Sequence, residues 1–358
     1  MNSCKFLIIN PFGIGDVLFT TPVIRAIKEN YPDSIIDYWC NGRVAPVLRN
    51  NPRIDMVFAL SRGDLKKIYR ECIYKGIFRF WDLLFRIRKE RFGAALDFSL
   101  DHRYGLIAKF AGIKKRIGFN YKKRGRFLTD RIDIDGYSDK HVVEYYLDLL
   151  KILAIIPQSR ILELFVSEAS RAKVKGIFGS YGVKDKDVVI GIAPGAGVSW
   201  GQDASLKHWP AKKFAQLADK LIANFGAKII IIGDESEKPI ADTLMNAMRE
   251  KAIDLTGATT LEDLSAVIDN LAVLVTNDGG PLHMAAALGK KTVSFFGPVD
   301  PRVYGPYPVD EKRHIVLRSN LECSPCYVKF HLSGCGNNKE CLEAIDVDSA
   351  LDAVAKLL

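Results

Sequence analysis

The feature that most restricts the fold of this 358-residue chain is a repeated alternation of short, nearly unbroken apolar runs with stretches of helical period. A run such as Val188 to Ala193 or Leu271 to Thr276 has almost no polar face to give to water. As a strand it must be covered on both sides, which is the condition of a parallel sheet wrapped by helices. In the N-terminal half Lys5 to Asn10, Ile35 to Cys40, Met56 to Leu60, Ala94 to Phe98 and Lys115 to Phe119 read as strands, while Asp16 to Asn30 and His141 to Ile155 read as helices. A second series begins after Ser167 to Ser180, with strands at Val188 to Ala193, Ala227 to Ile232, Ile253 to Thr256, Leu271 to Thr276 and Thr292 to Phe296. Between them Phe214 to Phe225, Lys238 to Lys251, Leu261 to Asn270 and Leu282 to Leu288 read as helices. The length exceeds what one core usually serves. The pattern therefore predicts an α/β protein of two Rossmann-like domains, residues 1–165 and 166–358, whose parallel sheets face one another across a cleft.

Hydrophobic residues at 48% and charged residues at 26% exclude disordered and coiled-coil classes. No apolar run approaches the roughly 20 residues of a spanning helix, and the opening residues lack the pattern of a cleaved leader. A cytoplasmic protein is expected. Charge is uneven: of a net +9, residues 61–126 hold 19 Lys/Arg against 6 Asp/Glu, a local +13. Such a segment suits an anionic partner, whether nucleic acid, an acidic lipid surface or a phosphorylated substrate. Its stretch from Ile77 to Arg88 interleaves aromatic, aliphatic and cationic residues like an amphipathic helix lying at a membrane surface. Of seven cysteines, four cluster as Cys323, Cys326, Cys335 and Cys341. That spacing is compact enough for a tetrahedral zinc, although the second pair is irregular, and free structural thiols are the competing reading.

Three motifs lie where parallel strands end and helices begin. Asn10-Pro11-Phe12-Gly13-Ile14-Gly15-Asp16 permits a tight turn but lacks the third glycine of a dinucleotide fingerprint and the Gly-Lys-Ser/Thr of a P-loop. Asp16 fits both a helix N-cap and a general base aimed off the end of the first strand. Asn277-Asp278-Gly279-Gly280-Pro281-Leu282-His283 stops an apolar strand at an acid and opens a helix whose first amides suit a pyrophosphate, with His283 in reach of the same oxygens. Pro194-Gly195-Ala196-Gly197 and the later Lys207-His208-Trp209-Pro210 bring a glycine turn and an ammonium to the same kind of position. Glu235, in the turn after another strand, suits a ribose hydroxyl or a helix cap.

Taken in order, Gly13-Ile14-Gly15-Asp16, Lys207-His208-Trp209-Pro210, Asn277 to His283 and Phe296-Gly297-Pro298 resemble glycosyltransferase family 9, the ADP-heptose:lipopolysaccharide heptosyltransferases. The resemblance implies a GT-B fold and an inverting transfer that needs no metal or cofactor. It implies Asp16 as base, with Lys207 also acting in catalysis. Donor binding would fall to Gly195, Ala196, Lys207, Glu235, Asp278, Gly279, Gly280, Pro281 and His283. The acceptor, a lipid-linked anionic saccharide, would be received by the basic N-terminal domain at Gly15, Lys122, Lys123 and Arg124, with peripheral contact at the inner membrane and no nucleic acid. Two other classes are weighed beside it: a GT-B transferase or epimerase using another nucleotide sugar, and a noncatalytic nucleic-acid-binding protein.

Overall fold

The apolar runs become the strands β1 (Lys5–Ile9), β2 (Ile35–Cys40), β3 (Met56–Ala59), β4 (Ala94–Asp97), β5 (Lys115–Tyr121) and β6 (Asp130–Ile134) of one parallel sheet in the order 3-2-1-4-5-6. A second parallel sheet, β7 (Val189–Ala193), β8 (Lys228–Ile231), β9 (Ile253–Asp254), β10 (Val273–Asn277), β11 (Lys291–Phe295) and β12 (His314–Leu317), repeats that order as 9-8-7-10-11-12. The computed structural model describes residues 4–358 and divides them into two compact units, one ending at Glu163 and one running from Leu164 to Leu358. In each unit the order reverses beside the first strand, at β1/β4 and β7/β10, and there the carboxyl ends of neighbouring strands leave a crevice for ligands.

Burial explains the strand composition. In the first unit Leu7, Ile9 and Trp39 pack with Leu83, Ile87 and Phe92. In the second, Ile190, Ile192, Val273 and Val275 pack with Phe214, Leu217 and Leu221 of the helix Ala211–Phe225 and with Val354 and Leu357 of the last helix. Trp209 belongs to this core, its ring stacked 4.1 Å from that of Phe295 and its indole N–H donating to the Ile345 carbonyl.

Several boundaries differ from the sequence reading for local reasons. The stretch Asp16 to Asn30 is two helices, Ile14–Phe19 and Thr21–Asn30, because Pro22 has no N–H for the Leu18 carbonyl. The Thr21 hydroxyl takes that carbonyl instead at 2.7 Å, and the Thr20 hydroxyl donates to Val17 O at 2.6 Å. The stretch after His141 is helical over Val142–Asp148 and tightens to a 3-10 turn over Leu149–Leu153. Strands β6 and β12, which the periodicity missed, are edge strands with polar or half-exposed positions. The first unit ends on Glu163, whose carboxylate receives both Arg25 and Arg53.

Asp97, the last residue of β4, is buried, and its Oδ1 accepts the Ser99 N–H at 2.9 Å. Burial pushes its carboxyl up to about 6. The folded chain thus holds this proton more tightly than the unfolded one, so the carboxylate costs stability progressively as pH rises from about 4 to 6, and fully above that. Asp97→Asn is expected to be about 1–3 kcal/mol more stable than the parent at about pH 8, with the gap closing towards pH 4. Urea titrations at the two pH values measure it, and a gap that does not depend on pH would contradict the assignment.

Candidate active site

In the second unit, β7 runs out into Pro194–Gly197 and β10 stops at Asn277, whose side chain is fully buried. Its Oδ1 accepts the Trp209 N–H at 2.9 Å, and its Nδ2 donates to the carbonyls of Pro194 (2.7 Å) and Gly195 (3.3 Å). One amide thereby fixes three segments, a role that the sequence motif alone does not reveal for Asn277. With Trp209 held, Lys207 two residues earlier brings Nζ to 2.6 Å from Asp278 Oδ2; the two side chains are 8% and 7% exposed. The same ammonium stands 4.8 Å from the Trp200 ring centre, and Trp200 lies against Tyr327.

The helix Gly280–Ala287 starts directly after this pair. Its N-cap is Gly279, which comes so close to the β7 loop that a Cβ would sit 3.1 Å from the Ala196 carbonyl oxygen. Pro281 occupies the first turn and has no N–H to spare. His283 is buried, with Nε2 4.0 Å from Asp278 Oδ1. Lys207, Asp278, Gly279, Gly280, Pro281 and His283 are therefore gathered at one strand end, beside Gly195 and Ala196. An ammonium at a helix N-terminus is a setting for phosphate oxygens. His208 faces a different environment: burial, helped by Lys339 and Lys207, pushes its imidazole down to about 4, so it is neutral at physiological pH.

Glu235 is exposed in the turn after β8, and the inward-facing acid there is Glu237. Glu237 accepts the N–H groups of Gly197 and Asp234, each at 2.9 Å, and burial raises its carboxyl. The sequence carried a signal for it in Asp234-x-x-Glu237, a capping-box spacing. Gly195 is pressed against this side chain: a Cβ would fall 1.8 Å from Glu237 Oε1.

In the first unit, Gly15 and Asp16 lie in the helix Ile14–Phe19 beyond β1. Asp16 is not the N-cap; Gly13 is, and the Asp16 carboxylate sits three residues on, accepting the Gly13 N–H at 3.2 Å. The Asn10 amide donates to the Asp16 carbonyl at 3.0 Å, tying the strand end to the turn. Lys122, Lys123 and Arg124 are exposed in the turn after β5, with Lys122 Nζ and the Arg124 guanidinium 5.1 and 5.8 Å from the Tyr121 ring centre. Arg124 also lines a small hollow with Asp97, His102 and Phe127.

Cys323, Cys326, Cys335 and Cys341 line another hollow together with His331 and Glu340, and all four are free thiols. Among the described residues no three His, Cys, Asp or Glu side chains are set to hold an ion. The tetrahedral arrangement that the spacing allowed is thus not formed; Cys335 Sγ instead accepts the Lys339 N–H at 3.3 Å.

The packing of Gly195 on Glu237 yields a test. Gly195→Ala is expected to cost about 1–3 kcal/mol, as overpacking does. In Gly195→Ala/Glu237→Ala the loss, read by urea unfolding, should be smaller than the two single losses combined; simple additivity would show that the loops are not coupled.

The chain is similar to known proteins over most of its length. A family model described as glycosyltransferase family 9 (heptosyltransferase) matches residues 80–335. Lipopolysaccharide heptosyltransferase 2 of Salmonella typhimurium is 26% identical over 310 residues, spanning 83% of this chain and 84% of that protein. The structure of E. coli ADP-heptose lps heptosyltransferase II superposes with a TM-score of 0.75 at 23% identity, covering 99% of this chain and 98% of that one. The glycosyl transferase family 9 structure from Veillonella parvula DSM 2008 superposes with a TM-score of 0.83 at 23% identity, covering 100% and 98%. Two sheets of one strand order, each with its helices, make the GT-B fold. With the family match extending over most of its length, the chain belongs to glycosyltransferase family 9 and is a sugar-transferring enzyme.

Proposed function

We propose that the protein moves a heptose from ADP-heptose to an inner-core acceptor of lipopolysaccharide, with inversion at the anomeric carbon and without a metal ion. The observation that carries this reading is the buried Lys207–Asp278 pair at the start of the helix Gly280–Ala287. The names of the relatives, lipopolysaccharide heptosyltransferase 2 and ADP-heptose lps heptosyltransferase II, support the choice of donor and acceptor. A lipid-linked acceptor would bring the enzyme to the cytoplasmic face of the inner membrane as a peripheral protein.

In this mechanism the bond between the anomeric carbon and the diphosphate oxygen breaks, and its electron pair leaves with the phosphate. The Lys207 ammonium and the helix amides receive the growing negative charge, which is the part a divalent cation plays elsewhere. Preorganised donors of this kind are worth about 3–4 kcal/mol each. Asp278 is a positioning residue that holds the ammonium in place before the donor arrives. An acceptor hydroxyl attacks the opposite face of the sugar, and Asp16 takes its proton; general bases contribute roughly 10²- to 10⁴-fold. Water must be kept from the donor, since it would attack the same carbon.

Isothermal titration with ADP, GDP and UDP in the presence of EDTA tests the donor site. ADP is expected to bind selectively, and Lys207→Ala to weaken it about tenfold or more. Asp16→Ala should keep ADP affinity while transfer to the acceptor falls about 100-fold or more. A protein that binds none of the three nucleotides would overturn the proposal, and nucleotide binding that requires a divalent ion would overturn its metal-free part.

A further inference from the structure

The helix Ile73–Glu90 has more apolar surface than its core contact uses. Gly76, Leu83 and Ile87 face inward, the last two packing with Phe58 and Phe92. A different face carries Tyr74, Phe78, Trp81 and Phe85, which are 81%, 70%, 61% and 68% exposed. Their spacing of four, three and four residues sets all four on one stripe, and Ile73 and Ile77 widen it. Along one margin of the stripe run Lys75, Arg79, Arg86 and Lys89, all exposed. On the opposite margin Arg88 donates to the Phe110 carbonyl at 3.0 Å, bringing the exposed Phe110 ring into the same neighbourhood. The preceding helix Arg62–Glu71 packs against this one, its Tyr69 ring so close to Gly76 that a Cβ there would be 2.4 Å from Tyr69 Cδ1. It adds exposed Lys66, Lys67 and Arg70.

A row of four aromatic side chains this exposed is unusual on a protein in water and marks a contact surface. The charges beside it decide between occupants. Residues 62–90 hold nine Lys/Arg against four Asp/Glu. In a two-fold pairing with a second copy the same patch meets itself, so cationic rows would border cationic rows. An anionic lipid surface answers both features: aromatic rings settle at the level of the headgroups and basic side chains meet the phosphates. Among the described residues no helix is long and apolar enough to cross a membrane, so the contact would be a lateral one.

We propose that the face formed by Tyr74, Phe78, Trp81 and Phe85, bordered by Lys75, Arg79, Arg86 and Lys89, docks the protein onto anionic phospholipid bilayers. The helix lies in the plane of the interface, and the stripe sinks to headgroup depth. This assignment follows from exposure, spacing and charge alone and does not depend on the donor or acceptor of the transfer reaction.

The test uses the full chain and vesicles free of saccharide acceptor and nucleotide. The protein is expected to co-sediment with vesicles of phosphatidylglycerol and phosphatidylethanolamine, much less with pure phosphatidylcholine, and to be released by about 0.5 M salt. Trp81 emission should shift to the blue on binding, and Trp81→Phe should remove that shift, since Trp39 and Trp209 are buried in the core and Trp200 packs against Tyr327 and Lys207 in the second unit. Phe78→Ser/Trp81→Ser/Phe85→Ser is expected to lower vesicle partitioning about tenfold or more, and Arg79→Glu/Arg86→Glu to abolish the preference for anionic lipid. These side chains are exposed, so melting curves and ADP titration should match the parent and separate a failed surface from a failed fold or a failed nucleotide site. Parent protein that ignores anionic vesicles overturns the proposal. So does a concentration-dependent dimer, seen by light scattering, that the triple substitution dissolves while vesicle partitioning stays unchanged.

Discussion

The Asn277 side chain closes three hydrogen bonds without touching solvent, and the arrangement of the second unit's strand ends rests on it. A buried polar group left without a partner costs about 1–3 kcal/mol, so neither the Pro194–Gly195 carbonyls nor the Trp209 amide can leave without penalty. Lys207 is drawn in by its connection to Trp209, and Asp278 by its connection to Asn277 itself. Glu237 does for Gly197 what Asn277 does for Gly195, from the other side of the loop. The loops at this strand end are thus held in place by the hydrogen bonds of two side chains, Asn277 and Glu237.

The sequence made most of the architecture legible because parallel strands buried on both faces leave an uninterrupted apolar trace. All five strands read in each half are present, and the strands of the two parallel sheets that escaped, β6 and β12, lie at sheet edges where one margin has no neighbour; the short antiparallel pair Tyr327–Val328 and His331–Leu332 escaped as well. The break at Thr20 escaped for a different reason. It depends on Pro22 together with two threonine hydroxyls and the Tyr38 hydroxyl 2.9 Å from Thr20 Oγ1, which no window of periodicity contains. For the site, glycines and a lysine at strand ends were visible as residue types in suitable places. That Lys207 and Asp278, 71 residues apart in the chain, form one ion pair was not, since pairing across strands is a property of register and loop closure. The tie from Glu237 to Gly197 was not legible either, because in the chain Glu237 shows only the spacing of a capping box, Asp234-x-x-Glu237.

The two units use one strand order for different surfaces. The cationic surplus of residues 61–126 falls entirely in the first unit, where Lys122, Lys123 and Arg124 stand free of the core and the helix Ile73–Glu90 shows its aromatic stripe. The second unit keeps its decisive charges buried and matched. Solvent-exposed charge acts at a distance and is screened by salt, whereas a buried charge acts only on what touches it. The two placements proposed above, a basic exposed face for an anionic surface and a buried matched ammonium for a small anionic ligand, are opposite uses of the same charge.

The closeness of Lys207 to Asp278 has a bearing on the chemistry of the cell. An ammonium already matched by a carboxylate presents little net field, so a lone orthophosphate arriving at this strand end meets a neutral dipole and must disrupt a buried pair to gain a partner. Only a ligand that brings further contacts, from a second phosphate, a sugar or a base, can offset that disruption. In the donor site proposed above, the carboxylate would act as a built-in competitor, weighing against small anions and in favour of a molecule that brings more contacts.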